Sequence, residues 1–142
     1  MRGWLLDTNV IASLTSPNGA RSVRAWASAQ DEERLFISVL SLGEFAKGIH
    51  NLPPADPARQ RYAAALQALE TRFAGRILSV SEDVVKRWGA LSGSIRRDTG
   101  HPPPVIDTLL AATAIEHDLC LVTRNVRDVE RSGVEVFDPW NS

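Results

Sequence analysis

Leu5-Leu6-Asp7-Thr8-Asn9-Val10 is the stretch that decides the fold. Trp4-Leu5-Leu6 is a short apolar run with no polar partner face, as suits a fully buried strand of a parallel sheet. The run stops at an acid. A buried strand that delivers Asp, Thr and Asn in succession at its C-terminal end puts oxygen ligands into the crevice beyond the sheet, where open α/β folds bind their ligands. Asp7-Thr8-Asn9 equally suits the cap of a following helix, because these residue types favour N-cap positions. Further acids arriving at the same end of the sheet would favour the ligand role.

Outward from this stretch, residues 9–15 read as one or two helical turns, stopped by the turn cluster Ser16-Pro17-Asn18-Gly19. A helix is expected over residues 20–29, with Val23, Trp26 and Ala27 at helical spacing, then a strand over 35–38. Ser41 opens a helix with the core stripe Leu42, Phe45, Ala46 and Ile49. Glu44 completes Ser-x-x-Glu, the pattern of a capping box, although a first-turn carboxylate also faces the top of the sheet. Pro53-Pro54-Ala55-Asp56-Pro57 ends that helix. A helix over 58–73 carries Tyr62, Leu66, Leu69 and Phe73, and a third strand follows over 77–80. Ser81 caps a helix whose Val84, Trp88, Leu91 and Ile95 form a plain core face and whose exposed end is Arg96-Arg97-Asp98.

Gly100-His101-Pro102-Pro103-Pro104 is a loop, since consecutive prolines cannot enter a helix interior. The helix over 105–117 has Asp107 in its first turn, where the macrodipole favours an acid, and Ala111, Ala112 and Ala114 for close packing on the sheet. A fourth buried strand over 119–122 ends at Thr123-Arg124-Asn125-Val126-Arg127-Asp128, and a last edge strand is expected over 134–136.

At 142 residues and 44% hydrophobic, the chain is expected to be one domain over residues 1–142 with enough apolar content for a sizeable core. It has no apolar run of about 18 residues and no charged-then-apolar leader, which gives the expectation of a cytoplasmic protein without a membrane span. Cys120 is the single cysteine and lies in an apolar run, so it reads as core. A net charge of −1 provides no global field for nucleic acid, and such binding would have to be local. The basic residues are 14 Arg and two Lys, and Arg forks onto phosphate better than Lys does.

The element order implies a mostly parallel sheet covered on both faces, with right-handed crossovers bringing the strands' C-terminal ends to one edge. Asp7 follows the first strand, Glu44 opens the helix after the second, and Asn125 and Asp128 follow the fourth. Asp107 joins them provided its helix begins above that edge. Carboxylates gathered in this way repel, and protonation or a bound cation must relieve them. Oxygen donors with neither Cys nor paired His point to Mg2+ or Mn2+ and away from zinc.

Four segments in this order, Leu-Leu-Asp7-Thr-Asn-Val, Ser-Leu-Gly-Glu44-Phe, Ile-Asp107-Thr-Leu-Leu-Ala-Ala-Thr-Ala and Leu-Val-Thr123-Arg-Asn125-Val-Arg-Asp128, resemble the PIN domain, most closely the VapC and FitB type of bacterial toxin. The resemblance runs from Leu5 to Trp140. It implies a Rossmann-like three-layer sandwich with a mostly parallel central sheet of four to five strands. It also implies a Mg2+-dependent endoribonuclease, with Mn2+ as a substitute, made as the toxin of a type II toxin–antitoxin pair, blocked by a small antitoxin and assembled as a homodimer. The family's acid set falls on Asp7, Glu44, Asp107 and Asp128, the first three as metal ligands, with Thr8, Asn9, Thr123 and Asn125 as polar support. Asp128 is followed by Val129 where many relatives carry Phe, and Asn125 stands where some place their fourth acid. The fourth position therefore falls to either Asn125 or Asp128.

Arg96, Arg97, Arg124 and Arg127 flank the acids and the proline loop as candidates for holding RNA phosphates. A receiver-type phosphoacceptor would need a Lys after the last strand, and neither Lys47 nor Lys86 is suitably placed; a haloacid-dehalogenase-type phosphatase would want Asp where Asn9 stands. A non-catalytic binding module leaves the gathered acids unexplained. The runner-up functions are a metal-dependent DNA nuclease and a non-toxin RNA-processing nuclease of the same fold. Metal-free ribonucleases need a general base and acid, usually His, and His50, His101 and His117 show no convergence. Cleavage by a metal-activated water, leaving 5′-phosphate and 3′-hydroxyl ends, is the expectation.

Overall fold

The computed structural model describes residues 2–141, so Met1 and Ser142, the two ends of the expected domain, lie outside it. Five strands, β1 (Trp4–Leu6), β2 (Leu35–Ser38), β3 (Ile77–Leu78), β4 (Cys120–Val122) and β5 (Val136–Phe137), form one sheet in the order β3-β2-β1-β4-β5. Every pairing is parallel: Trp4 stands opposite Leu35 on one side and Cys120 on the other, and Val122 opposite Phe137. The parallel character expected for most of the sheet thus extends to all of it.

β1 is central and buried on both faces. Successive side chains of a strand point to opposite faces. Leu6 accordingly enters a cluster with Val10, Ile11, Val23, Leu35 and Phe73, while Leu5 enters another with Leu110, Ala111, Ala114 and Leu121. The first cluster is closed by α1 (Thr8–Thr15), α2 (Arg21–Ser28), α3 (Val39–Asn51) and α4 (Ala58–Arg72), the second by α6 (Val105–Glu116), with α5 (Glu82–Thr99) packed along α6. The alanines of α6 are completely buried and let that helix lie close on the sheet. The three-layer Rossmann-like sandwich read from the sequence is the architecture observed.

Local signals explain most boundaries. Gly19 turns the chain between α1 and α2, where a Cβ would collide with the Ser13 carbonyl. Arg24 donates to the Ser13 and Ser16 carbonyls and so satisfies the end of α1. Four expectations shift, the first being that β3 ends at Leu78, two residues short of its expected end. α3 begins at Val39, with Ser38 as its cap accepting from the Leu40 N–H at 3.0 Å, because the hydroxyl of Ser41 is engaged elsewhere. The last strand is Val136–Phe137, two residues beyond the expected start, since Val134 is buried against the α6 layer before pairing begins. The segment after β4 forms a short helix, α7 (Val126–Val129), and Glu130–Ser132 continues it as a 3-10 turn. No helix among the described residues is long and apolar enough to cross a membrane.

Candidate active site

An all-parallel sheet ends its strands on one edge, and β1 delivers Asp7 there. Asp7 is 5% exposed and caps α1, accepting from the Thr8 N–H at 2.6 Å through Oδ1. Its Oδ2 accepts from the Thr123 hydroxyl at 2.6 Å, a bond that ties β1 to the end of β4. The helix-cap reading of this residue holds, with one oxygen on the cap and the other on the neighbouring strand. Burial raises the Asp7 pKa; the Thr123 and Thr8 bonds oppose that rise and the charge of Glu44 adds to it. Each oxygen has one donor and retains acceptor capacity.

Glu44 is held from a different direction than its sequence suggests. It lies in the second turn of α3, beyond reach of a capping box, and its Oε1 accepts from the Thr8 hydroxyl at 2.5 Å. Thr8 Oγ1 is also 2.8 Å from Ser41 Oγ. A threonine hydroxyl has one proton, so Thr8 gives it to Glu44 and accepts from Ser41. The chain of bonds runs from Ser41 through Thr8 to the carboxylate and links α3 to α1. Ser41 is fully buried and was missed as a site residue, because Ser-x-x-Glu accounts for it as a cap; its position one helical turn before Glu44 was the available signal.

Asp107 lies in the first turn of α6, near enough to Asp7 to feel its charge. Its carboxyl is half-buried, with no hydrogen bond or ion pair among the described residues. Burial, then the charges of Asp7, Asp128 and Glu44, push its pKa from 3.8 up to about 6. Asp107 thus lies near enough to the other three acids to feel the charge of each. Asp128 is exposed in α7, where its N–H bonds the Asn125 carbonyl at 3.1 Å. Asn125 begins that helix, and its N–H donates to Thr123 Oγ1 at 3.0 Å, so its backbone braces the hydroxyl that holds Asp7. Asn9 contributes a buried side-chain oxygen with no hydrogen-bond partner among the described residues.

The acids are not closed into a coordination sphere: among the described residues no three His, Cys, Asp or Glu side chains stand close enough to hold one ion between them. On the α3 side the edge opens into a cleft of about 700 Å³, bounded by Glu44 and by apolar side chains that include Phe45, Ile49, Tyr62 and Leu66. On the β5 side Arg124 lies over the ring of Trp140. Arg96 and Arg97 are exposed in the last turn of α5, with Arg97 4.0 Å from Asp98, and Arg127 is exposed on α7. His50 lies against Arg59 at the end of α3, His101 is exposed in the proline loop and His117 ends α6, so the three form no cluster.

A parallel α/β sheet that gathers acids from β1, α3, α6 and α7 at its C-terminal edge defines a class, and the chain belongs to it: residues 4–131 match the PIN domain family. Among proteins it resembles are a VapC ribonuclease of Sinorhizobium fredii, 31% identical over 96% of each chain, and the toxin FitB of Neisseria gonorrhoeae, 30% identical over 96% of this chain and 98% of that one. The crystal structure of FitAcB from Neisseria gonorrhoeae superposes with a TM-score of 0.85 at 29% identity, covering 98% of this chain and 99% of that one.

Proposed function

We propose that this protein is a metal-dependent endoribonuclease and the toxin of a type II toxin–antitoxin pair. The observation that carries the chemistry is Asp107, a half-buried carboxyl with no hydrogen bond or ion pair among the described residues and a proton affinity raised first by burial and then by the charges of three other acids. Such a group is poised for a cation. The relatives called VapC ribonuclease and toxin FitB support RNA as the substrate and toxicity as the outcome.

The donor set suits a hard divalent ion: it is all oxygen, its charges repel one another, and Asn9 Oδ1 adds an unpaired acceptor. Asp7, Glu44 and Asp107 would hold Mg2+ or Mn2+, with Asp128 as the fourth acid. The open arrangement of the carboxylates fits an ion that keeps several waters and takes only one or two carboxylates directly. Bound there, the ion supplies an activated water and neutralises charge on the phosphate. The protein's own part is orientation. Thr123 and the Thr8 N–H fix Asp7, leaving one acceptor direction on each oxygen, and the Ser41–Thr8 pair fixes Glu44. Asn125 backs Thr123 and keeps the far wall in register. Asp128 fills the fourth position better than Asn125 on this reading, because its charge reaches Asp107 while Asn125 acts through its backbone.

Inhibition by a small antitoxin would use the cleft beside Glu44, whose apolar walls suit an amphipathic segment and whose acidic end suits a basic side chain. Solved relatives that are toxin–antitoxin complexes support a partner of this kind. A homodimer belongs to the same reading and is checked by the mass of the purified protein in solution. The function is tested by brief induced expression followed by transcriptome-wide mapping of new RNA 5′ ends. New ends at defined sites, absent with Asp7→Asn, support the ribonuclease; growth arrest with chromosomal breaks and intact RNA would support a DNA nuclease instead.

A further inference from the structure

Of the four arginines that are candidates for holding RNA phosphate, Arg124 differs from the rest in what it lies against. The Arg124 guanidinium carbon lies 5.2 Å from the centre of the Trp140 ring, within cation–π range. Two independent lines place both residues at the site's edge. β4 and β5 are parallel neighbours with Val122 opposite Phe137, so Arg124 and Trp140 leave the sheet on the same side as Asp7. The residue before Arg124 is Thr123, which holds Asp7 and takes a backbone bond of 3.0 Å to the Phe137 carbonyl.

Trp140 is a fixed platform. It packs against the cluster containing Leu6, and its backbone N–H bonds Asp138 Oδ1 at 2.9 Å, with the Asn141 amide on Asp138 Oδ2 at 2.8 Å. Arg124 is exposed and, among the described residues, has no hydrogen bond or ion pair, although Asp128 follows it by four residues. A guanidinium that is laid on a ring has lost much of its side-chain freedom while its edge N–H donors stay open. That arrangement suits bidentate recognition of phosphate. An edge crowded with carboxylates repels a polyanion unless a cation is held at its border.

We propose that Arg124, held on the indole of Trp140, grips a backbone phosphate of the RNA beside the one that is cleaved. Trp140 is the positioning residue for that grip. This rests on the ribonuclease reading, and it singles out Arg124 from Arg96, Arg97 and Arg127.

The test uses the full-length protein and a labelled pool of randomised single-stranded RNA. Binding is followed by anisotropy across a salt series in Ca2+, and cleavage kinetics are followed in Mn2+. Arg124→Ala is expected to weaken binding about tenfold, to flatten the salt dependence by about 0.7 in the log–log slope, the release from one phosphate of a single strand, and to raise KM with kcat held. Trp140→Leu weakens binding in the Arg124 background but adds nothing to Arg124→Ala, and Trp140→Phe, which keeps a ring and guards against a folding defect, restores most of the loss. Wild-type affinity and slope in Arg124→Ala overturn the proposal, as do losses that multiply in the double variant. A wild-type protein that neither binds nor cleaves RNA overturns the ribonuclease reading itself, and the proposal falls with it.

Discussion

Replacing Asp107 by Asn keeps the shape of the side chain and removes one charge from the crowded edge. The folded protein holds the Asp107 proton up to about pH 6, against 3.8 for the free group. Between those values the folded chain binds more protons than the unfolded one, so stability falls as pH rises through the window. The cost is absent below the unfolded value and complete above the folded one. At 1.36 kcal/mol per pH unit the gap corresponds to about 3 kcal/mol, an upper bound. The carboxyl is only half-buried and its neighbours are partly solvated, which brings the figure to about 1–2 kcal/mol. Asp107→Asn should therefore melt roughly 3–6 °C above the parent near neutral pH without metal, and the two curves should meet towards about pH 4. Adding Mg2+ should raise the parent's Tm and leave the variant's nearly unmoved, because a ligand stabilises only the state that binds it. A metal-free variant that melts with or below the parent near neutral pH would refute the electrostatic account, and undiminished cleavage by it would refute the metal site.

Glu44→Gln should melt within about 0.5 kcal/mol of the parent, since the helix is capped by Ser38 and not by Glu44, yet lose cleavage; an active variant would return Glu44 to a structural role. Thr123→Val leaves Oδ2 of the buried Asp7 without its donor and should cost about 1–3 kcal/mol, more at high pH than at low pH because that bond favours the ionised carboxyl. Equal losses in acidic and alkaline melts would count against it. Arg76 serves as the control away from the site: it donates to the carbonyls of Glu32, Leu35 and Arg72, pairs with the Glu32 carboxylate at 3.1 Å and lies 4.7 Å from the Phe73 ring centre. Arg76→Ala should cost about 2–3 kcal/mol in denaturant melts while the protein that remains folded cleaves normally.

The sheet and the places of Asp7 and Asp107 in the fold were legible because each rests on a local signal. An apolar run that ends in Asp7, or a helix that starts just before Asp107, can be recognised without knowing what lies opposite. The roles of Ser41 and Thr8 were not legible in this way. Their hydroxyls meet Glu44 only when α1 and α3 are brought together, and Ser-x-x-Glu offers a local explanation that happens to be wrong. The α7 turn was hidden because Asn125–Asp128 carries no apolar periodicity and its helix is a single turn. Arg124 on Trp140 and the Glu32–Arg76 clamp join residues distant in sequence, and no spacing rule predicts such pairs. Asp7 shows the opposite case, in which the locally legible cap is real and the second oxygen of the same carboxylate is bonded to Thr123 on the neighbouring strand.

On the proposed function, the acidic edge cleaves RNA with a metal and a water, without help from the neighbouring 2′-hydroxyl. The most direct measurement is the chemistry of the ends left on a cleaved RNA, determined with and without EDTA. Hydrolysis by a metal-activated water leaves 5′-phosphate and 3′-hydroxyl ends, stops in EDTA, and recovers on adding Mg2+ or Mn2+ but not Ca2+. Ends carrying 2′,3′-cyclic phosphate, produced equally well in EDTA, would contradict it.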